Sequence, residues 1–212
     1  DGKIVVAGAT ATDSLGVLFD MAAVRLTTAG ELDAGFGSGG VKTVGFGAGS
    51  EYAMSVALSS DGKIVLAGYG SNGSDFDVAV ARLTSTGELD TSFSGDGKVL
   101  VPVGSGADYG NAVALAADGD VVVAGSSVGS TEDIAVVRLT STGVLDTAFS
   151  GDGITTVAVG SGDDLARAVA IAADGDLIVA GTADVTAGST TEDIAVVRLT
   201  PAGALDTAFS VD

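Results

Sequence analysis

Residues 61–68 read DGKIVLAG, and residues 76–93 read FDVAVARLTSTGELDTSF. The first string returns as DGKIVVAG at 1–8, DGDVVVAG at 118–125 and DGDLIVAG at 174–181. The second returns at 19–36, 132–149 and 192–209, ending each time in a G-x-L-D-x-x-F segment. The DG starts lie 60, 57 and 56 residues apart, and the segments joining the two strings, 9–18, 69–75 and 126–131, account for all of that variation. A tandem unit that accepts length changes at one place has that place at an exposed tip, so the joining segments, with 182–191 as the fourth, are read as variable loops on a fixed frame.

Each unit reads as four short strands. The first lies at 41–46, 98–103 and 154–159, the second at 52–60, 109–117 and 165–173, the third is the IVLAG-type run, and the fourth is the AVVRLT-type run. Short runs of Val, Ile, Ala and Thr bounded by Gly and Asp are strand signals. Asp-Gly between two such runs marks a tight hairpin. Helix-length periodicity is missing. The expected fold class is therefore all-β: a β-propeller-type array of four-stranded antiparallel blades, about 3.5 of them, with a β-solenoid as the alternative. The array fills 1–212 as a partial blade 1–36 and blades 37–93, 94–149 and 150–209. In the second strand, Met54, Val56 and Leu58 are expected on one face and Ala53, Ser55 and Ala57 on the other; Pro102 predicts an edge position for its strand. The register of the two ends leaves strand 4–8 without a second-strand neighbour. It predicts a segment of a longer array, with self-association through that open blade edge.

DGKIVVAG followed by F-D-x-A-x-A-R-L, G-x-L-D-x-x-F, a G-D-G turn and A-V-A-L resembles the delta-sixty repeat, a tandem module of bacterial proteins. The resemblance covers nearly the whole chain. It implies β-propellers in large secreted or cell-surface proteins, and no established activity. Asp120 and Asp176 depart from it by replacing the lysine of DGK, as does GSGG at 37–40 in place of SGDG.

Composition narrows the chemistry. The 212 residues hold 9 basic and 28 acidic side chains, for a net charge of −19, with 33 glycines and no His, Cys or Trp. Disulfides, thiolate nucleophiles, imidazole bases and zinc sites built on Cys or His are excluded. Clustered basic residues for nucleic-acid phosphates are missing, so nucleic acid is not an expected partner. No apolar run approaches the roughly 20 residues of a membrane-spanning helix, so membrane insertion is not expected either.

Arg25, Arg82, Arg138 and Arg198 fall at one position of the fourth strand, each followed eight residues later by an aspartate: Asp33, Asp90, Asp146 and Asp206. An arginine inside an apolar strand must be paired, so these eight residues are read as structural clamps pinning a turn to its blade. A ring of arginines for an anionic ligand is the functional alternative. LDTSFSGDG at 89–97 and LDTAFSGDG at 145–153 space two aspartates six apart among small residues, which makes Asp90, Asp96, Asp146 and Asp152 candidate calcium ligands. Calcium is the one cofactor the pattern offers; the other expectation is none. Catalytic residues are singular, whereas these are copied into every unit. The singular residues are Glu51, Tyr69, Asn111 and Arg167. The expected function is thus a non-catalytic extracellular scaffold meeting a protein or glycan through loops 9–18, 69–75, 126–131 and 182–191, whose one aromatic residue is Tyr69. The alternative is a calcium-dependent carboxylate enzyme acting on polysaccharide or phosphoester.

Overall fold

A computed structural model describes residues 1–47, 49–184, 186 and 191–209. Fourteen strands form among them and no helix: β1 (Ile4–Ala11), β2 (Phe19–Leu26), β3 (Val41–Val44), β4 (Glu51–Leu58), β5 (Ile64–Ser71), β6 (Phe76–Leu83), β7 (Lys98–Val101), β8 (Asp108–Leu115), β9 (Val121–Val128), β10 (Glu132–Leu139), β11 (Ile154–Val157), β12 (Asp164–Ile171), β13 (Leu177–Ala183) and β14 (Asp193–Leu199). They make four antiparallel sheets, β1-β2-β3, β4-β5-β6-β7, β8-β9-β10-β11 and β12-β13-β14. The chain falls into two compact units, Asp1–Val101 and Pro102–Asp212, each holding two of these sheets.

All neighbours within a sheet are consecutive in the chain, which gives four antiparallel meanders of the propeller-blade kind rather than solenoid rungs. The blade boundaries differ from those the sequence predicts. The strand expected to open each blade, Val41–Val44, Lys98–Val101 or Ile154–Val157, instead closes the preceding sheet: Val44 pairs with Met21, Val101 with Val78 and Val157 with Ile134. The divisions 37–93, 94–149 and 150–209 therefore cut through sheets that run 51–101, 108–157 and 164–199. The cause lies in the turn. The Arg82 N–H donates to Gly97 O and the Gly97 N–H to Phe93 O, so the G-D-G turn carries the ladder straight from β6 into β7. The Arg25–Gly40 and Arg138–Gly153 pairs do the same in their sheets. Pro102 follows the last residue of β7 and ends that strand instead of lying within it.

The third-strand runs are the centre of each four-stranded sheet. Ile64 to Gly68 and Val121 to Ser127 are buried on both faces, as strands covered twice must be. In the first unit Met21, Ala23, Phe36, Val44, Ile64, Leu66 and Leu83 form one core. In the second, Val122, Ile134, Val136, Phe149, Leu177, Val179 and Leu199 form another. Phe36, Phe93 and Phe149, the rings that end the first three G-x-L-D-x-x-F turns, are fully buried and anchor those turns, whereas Phe209 of the fourth is exposed.

The simple alternation expected for 53–58 is interrupted. Pairing steps from Ala53–Gly68 to Ser55–Ala67, leaving Met54 as the extra residue of a β-bulge. Ala53 and Val56 consequently share a face, and Met54 projects to solvent. Asn111 and Arg167 occupy the same bulge in β8 and β12. The bulge explains the invariable glycine that ends the third-strand motif in these sheets. A Cβ at Gly68, Gly125 or Gly181 would lie 1.8 Å from the carbonyl oxygen of Tyr52, Tyr109 or Leu165, which no side chain tolerates.

Candidate functional site

The repeated arginines face their aspartates. Arg25 Nε lies 2.7 Å from Asp33 Oδ2, Arg82 Nε 2.8 Å from Asp90 Oδ2, Arg138 Nε 3.0 Å from Asp146 Oδ2 and Arg198 Nε 3.4 Å from Asp206 Oδ2. The guanidinium groups of Arg25 and Arg82 also stack over Phe36 and Phe93, each 4.7 Å from the ring centre. Arg25 Nη1 donates to the Ser85 carbonyl of the neighbouring sheet, and Arg138 Nη1 to Pro201 O at 3.2 Å. Each of these two side chains thus ties its own turn to the turn of the next sheet within its unit.

The third charge of each cluster changes sign along the chain. In the first unit one aspartate serves two cations: Lys3 Nζ is 2.8 Å from Asp33 and Lys63 Nζ is 3.4 Å from Asp90. The Lys3 hydrogen bond, opposed by burial and helped by the Gly35 N–H and Arg25, holds Asp33 at a pKa of about 2. For Asp90, burial works against the charge, but the Ser92 hydroxyl and N–H, Arg82 and Lys63 outweigh it and bring it to about 2. In the second unit one arginine serves several aspartates. Arg138 Nη2 meets Asp120 at 3.0 Å, and Arg198 Nε donates to Asp176 at 2.6 Å and Nη2 to Asp174 at 3.1 Å.

The four candidate calcium ligands are otherwise engaged. Asp90 and Asp146 are committed to arginines, whose positive charge opposes a divalent ion beside them. Asp96 Oδ1 accepts the Lys98 N–H at 3.1 Å and Asp152 Oδ1 the Ile154 N–H at 3.0 Å, the local bonds of Asx turns. Among the described residues no group of three or more acidic side chains is placed to hold a metal ion. The calcium reading of Asp90, Asp96, Asp146 and Asp152 therefore has no geometry behind it.

The variable segments are shorter as loops than the sequence predicts, because β1, β5, β9 and β13 run on to residues 11, 71, 128 and 183. Tyr69 accordingly lies in β5. Of the segment 182–191, residues 185 and 187–190 lie outside the described residues. Two loops of the first unit are held by their own side chains. Asp13 Oδ1 accepts the N–H groups of Val17 and Leu18, each at 2.9 Å, and the Leu18 bond leads in lowering its pKa. Asn72 Nδ2 donates to Asp75 Oδ1 at 2.5 Å, and Asn72 Oδ1 accepts the Ser74 N–H at 2.8 Å. Ser50 joins the two loops: its hydroxyl accepts the Phe19 N–H at 3.2 Å and donates to Val17 O at 3.4 Å, and its carbonyl accepts the Ser71 N–H at 3.1 Å.

At this loop end runs a ladder of four half-buried aromatic rings. Phe19 and Tyr52 are 5.4 Å apart between centroids, Tyr52 and Tyr69 5.1 Å, and Tyr69 and Phe76 5.3 Å. Beside Phe19 the loop presents Leu15, 81% exposed, and Val17, 62% exposed. The ladder is confined to the first unit. The positions of Tyr52, Tyr69 and Phe76 hold Tyr109, Ser126 and Glu132 in the next sheet, where the Ser126 hydroxyl donates to Glu132 at 2.5 Å. In the last sheet they hold Leu165, Thr182 and Glu192. Sequence reading missed the ladder because Phe19, Tyr52 and Phe76 each read as an ordinary strand residue. Superposing the repeats and asking where they differ is the signal that finds it.

A second non-repeating feature lies underneath. Asp108 and Asp164, both fully buried, accept turn N–H groups at 2.7 Å from Val103 and Val159. Glu51 takes their place in β4, is equally buried, and neither carboxylate oxygen makes a hydrogen bond of good geometry among the described residues, the Phe46 N–H and Asp20 being its nearest polar neighbours. Burial raises its pKa and neighbouring Asp20 adds to the rise, against opposite pulls from the Phe46 amide and Lys98.

Antiparallel four-stranded meanders, repeated and anchored by Arg–Asp–Phe turns, define a β-propeller repeat protein. The family described as "Domain of unknown function (DUF5122) beta-propeller" matches residues 1–36, 59–93, 116–149 and 172–209, roughly two thirds of the chain, and the chain belongs to it. Comparison with curated proteins finds no match.

Proposed function

We propose that this chain is a non-catalytic binding module of the delta-sixty type, on a secreted or cell-surface bacterial protein, that docks a protein partner through the loop end of its first unit. The observation that carries the reading is the Phe19–Tyr52–Tyr69–Phe76 ladder with Leu15 and Val17 exposed beside it. Aromatic and aliphatic side chains on pre-formed loops supply contact area at low entropic cost. Tyr52 and Tyr69 are each half-buried and packed against two other rings at 5.1–5.4 Å. This favours apolar side chains of a protein over a glycan. With a net charge of −19 over the chain, a partner with a basic rim around an apolar centre is favoured electrostatically.

Binding rather than catalysis is favoured by where the charged groups go. The repeated Arg and Asp side chains neutralise one another inside turns, leaving no free acid–base pair among them. The test is binding with the exposed loop altered. Leu15→Asp and Val17→Asp change solvent-facing side chains and should leave the melting temperature within a degree or so. A glycan array probed with the unaltered chain is run beside them. Retention of a protein partner that falls with these changes supports the reading; a specific glycan hit with unaltered protein retention refutes it.

A further inference from the structure

Superposing the sheets isolates one polar cluster that does not repeat. Glu51 stands where β8 and β12 have Asp108 and Asp164. Gly70 pairs opposite it, where Ser127 and Ala183 pair opposite those aspartates. Phe46 stands where the other sheets have Val103 and Val159, and Lys98 where they have Val41 and Ile154. These exceptions meet in space. Glu51 Cγ lies 2.9 Å from the Cβ position of Gly70, so the longer acid fits because the residue across from it has no side chain. Lys98 Nζ donates to Gly45 O at 2.5 Å and lies 5.5 Å from the centre of the Phe46 ring. Asp108 and Asp164 turn their carboxylates onto the N–H groups of Val103, Gly104, Val159 and Gly160. The extra methylene of Glu51 carries its carboxylate off the corresponding Phe46 N–H, and neither oxygen makes a hydrogen bond of good geometry among the described residues.

Charged groups reach this carboxylate from several strands. Asp20 on β2 is the acid that acts on it, and lies against Gly45 with Oδ1 3.0 Å from that residue's Cβ position. Lys98 on β7 is the cation that acts on it. Asp77 on β6 shares the face, in register with Glu51 through Gly70 of β5. The connecting segment 45–50 has no titratable side chain. A carboxylate that is buried, poorly hydrogen-bonded and beside a second carboxylate is costly to ionise, so the folded chain holds Glu51 as the neutral acid beyond its ordinary range. The two acids also adjoin the aromatic ladder. Asp20 follows Phe19 in β2 and Glu51 precedes Tyr52 in β4, and those two rings are 5.4 Å apart. Ser50, next to Glu51, accepts the Phe19 N–H at 3.2 Å.

We propose that Glu51 is a pH-operated latch on the loop end. Protonated, it lets Ser50–Tyr52 lie against Phe19–Asp20. On losing its proton to water it repels Asp20, and the start of β4 moves off β2, breaking the Ser50–Phe19 bond and the Phe19–Tyr52 contact. As a regulator of docking the latch rests on the loop-end reading given above: the apolar surface is assembled at lower pH and dismantled at higher pH.

The test needs no partner. Carboxyl shifts of Glu51 and cross-peaks between the Phe19 and Tyr52 rings are followed by NMR in the isotope-labelled chain from about pH 4 to about pH 9. Glu51 is expected to titrate above its ordinary 4.5, with the ring cross-peaks fading along the same curve. Glu51→Gln should keep the cross-peaks over the whole range. Glu51→Asp restores the acid of β8 and β12, one methylene shorter and within reach of the Phe46 N–H, and should keep them too. Lys98→Ile, the residue that β11 has at this position, removes the cation that helps Glu51 ionise and should move the fading to higher pH. Titration of Glu51 at or below 4.5, cross-peaks constant through its titration, or the same fading in Glu51→Gln would each overturn the latch. A failed latch leaves the docking reading standing, and loss of the docking reading leaves the titration and the ring cross-peaks as they are, so the two failures are distinguishable.

Discussion

Arg138 Nη2 lies 3.0 Å from Asp120 Oδ2, at the repeat position where the first unit places Lys3 and Lys63. The cluster thus keeps its geometry while its third charge inverts: two cations on one aspartate become two aspartates on one arginine. Asp120 also accepts the Ser141 N–H at 2.9 Å, a bond a lysine cannot make. Asp120→Lys should therefore restore the arrangement of Lys63, Arg82 and Asp90 at a cost of about 1 kcal/mol, the scale of one net hydrogen bond. Asp120→Lys with Asp146→Ala should cost more than the sum of the two changes, because Arg138 and the new lysine would then face each other with only the exposed Asp118 carboxylate nearby. Urea unfolding of the single and double variants checks this.

Burial ranks the clamps. The Arg82 and Asp90 side chains are the most enclosed pair, and Arg198 the most exposed arginine of the four. Arg82→Ala should destabilise by roughly 1.5–3 kcal/mol, the scale of a lost hydrogen bond to a charged group, because Lys63 and Ser92 still hold Asp90. Arg198→Ala should cost about 1 kcal/mol or less, as a solvent-screened pair. Equal losses in melting experiments would show that the clamp acts through something other than charge burial.

Acid and base act on this chain with opposite signs at different sites. Asp33, Asp61 and Asp90 have pKa values of about 2, below their ordinary 3.8, so the folded state binds fewer protons than the unfolded one there. Their stabilisation is complete above the ordinary value and disappears as pH falls from near 4 towards 2. Glu51 is raised above its ordinary 4.5, so its contribution runs the other way: stability declines as pH rises through and beyond that value. Glu51→Gln should raise stability at pH 7, flatten the curve above pH 4.5 and leave the acid limb unchanged. Melting temperatures measured across pH 2–8 test both limbs.

The bulge makes a sharper steric prediction. Gly125→Ala places a methyl 1.8 Å from Tyr109 O, backbone against backbone, and should cost at least the roughly 1–3 kcal/mol of overpacking a core. Circular dichroism melts of Gly125→Ala beside the unaltered chain check it.

Much of the fold is legible in the sequence. Hairpins and central strands follow from Asp-Gly turns between apolar runs, and an eight-residue spacing places Asp90 within reach of Arg82 because the intervening turn doubles the chain back. Sheet membership of Val41–Val44, Lys98–Val101 and Ile154–Val157 was not readable. A strand midway between two others pairs according to turn geometry, and the G-D-G ladder bonds that decide it leave no mark on strand composition. The bulge was hidden for a related reason: Met54, Asn111 and Arg167 look like alternating strand residues, and only the glycine across from each betrays the extra one. The aromatic ladder was illegible because its rings come from three strands besides Tyr52's own, brought together by pairing and by Ser50.

The central claim is that the loop end of the first unit docks a protein. It is tested most directly by immobilising the unaltered chain and the Leu15→Asp, Val17→Asp double variant, exposing both to extracellular and surface extracts of a source organism, and quantifying what each retains. At least one protein is expected whose retention falls tenfold or more with the variant, which rebinds as a purified protein and is not displaced by glycans. Identical retention by both chains, with the variant melting like the unaltered chain, would contradict it.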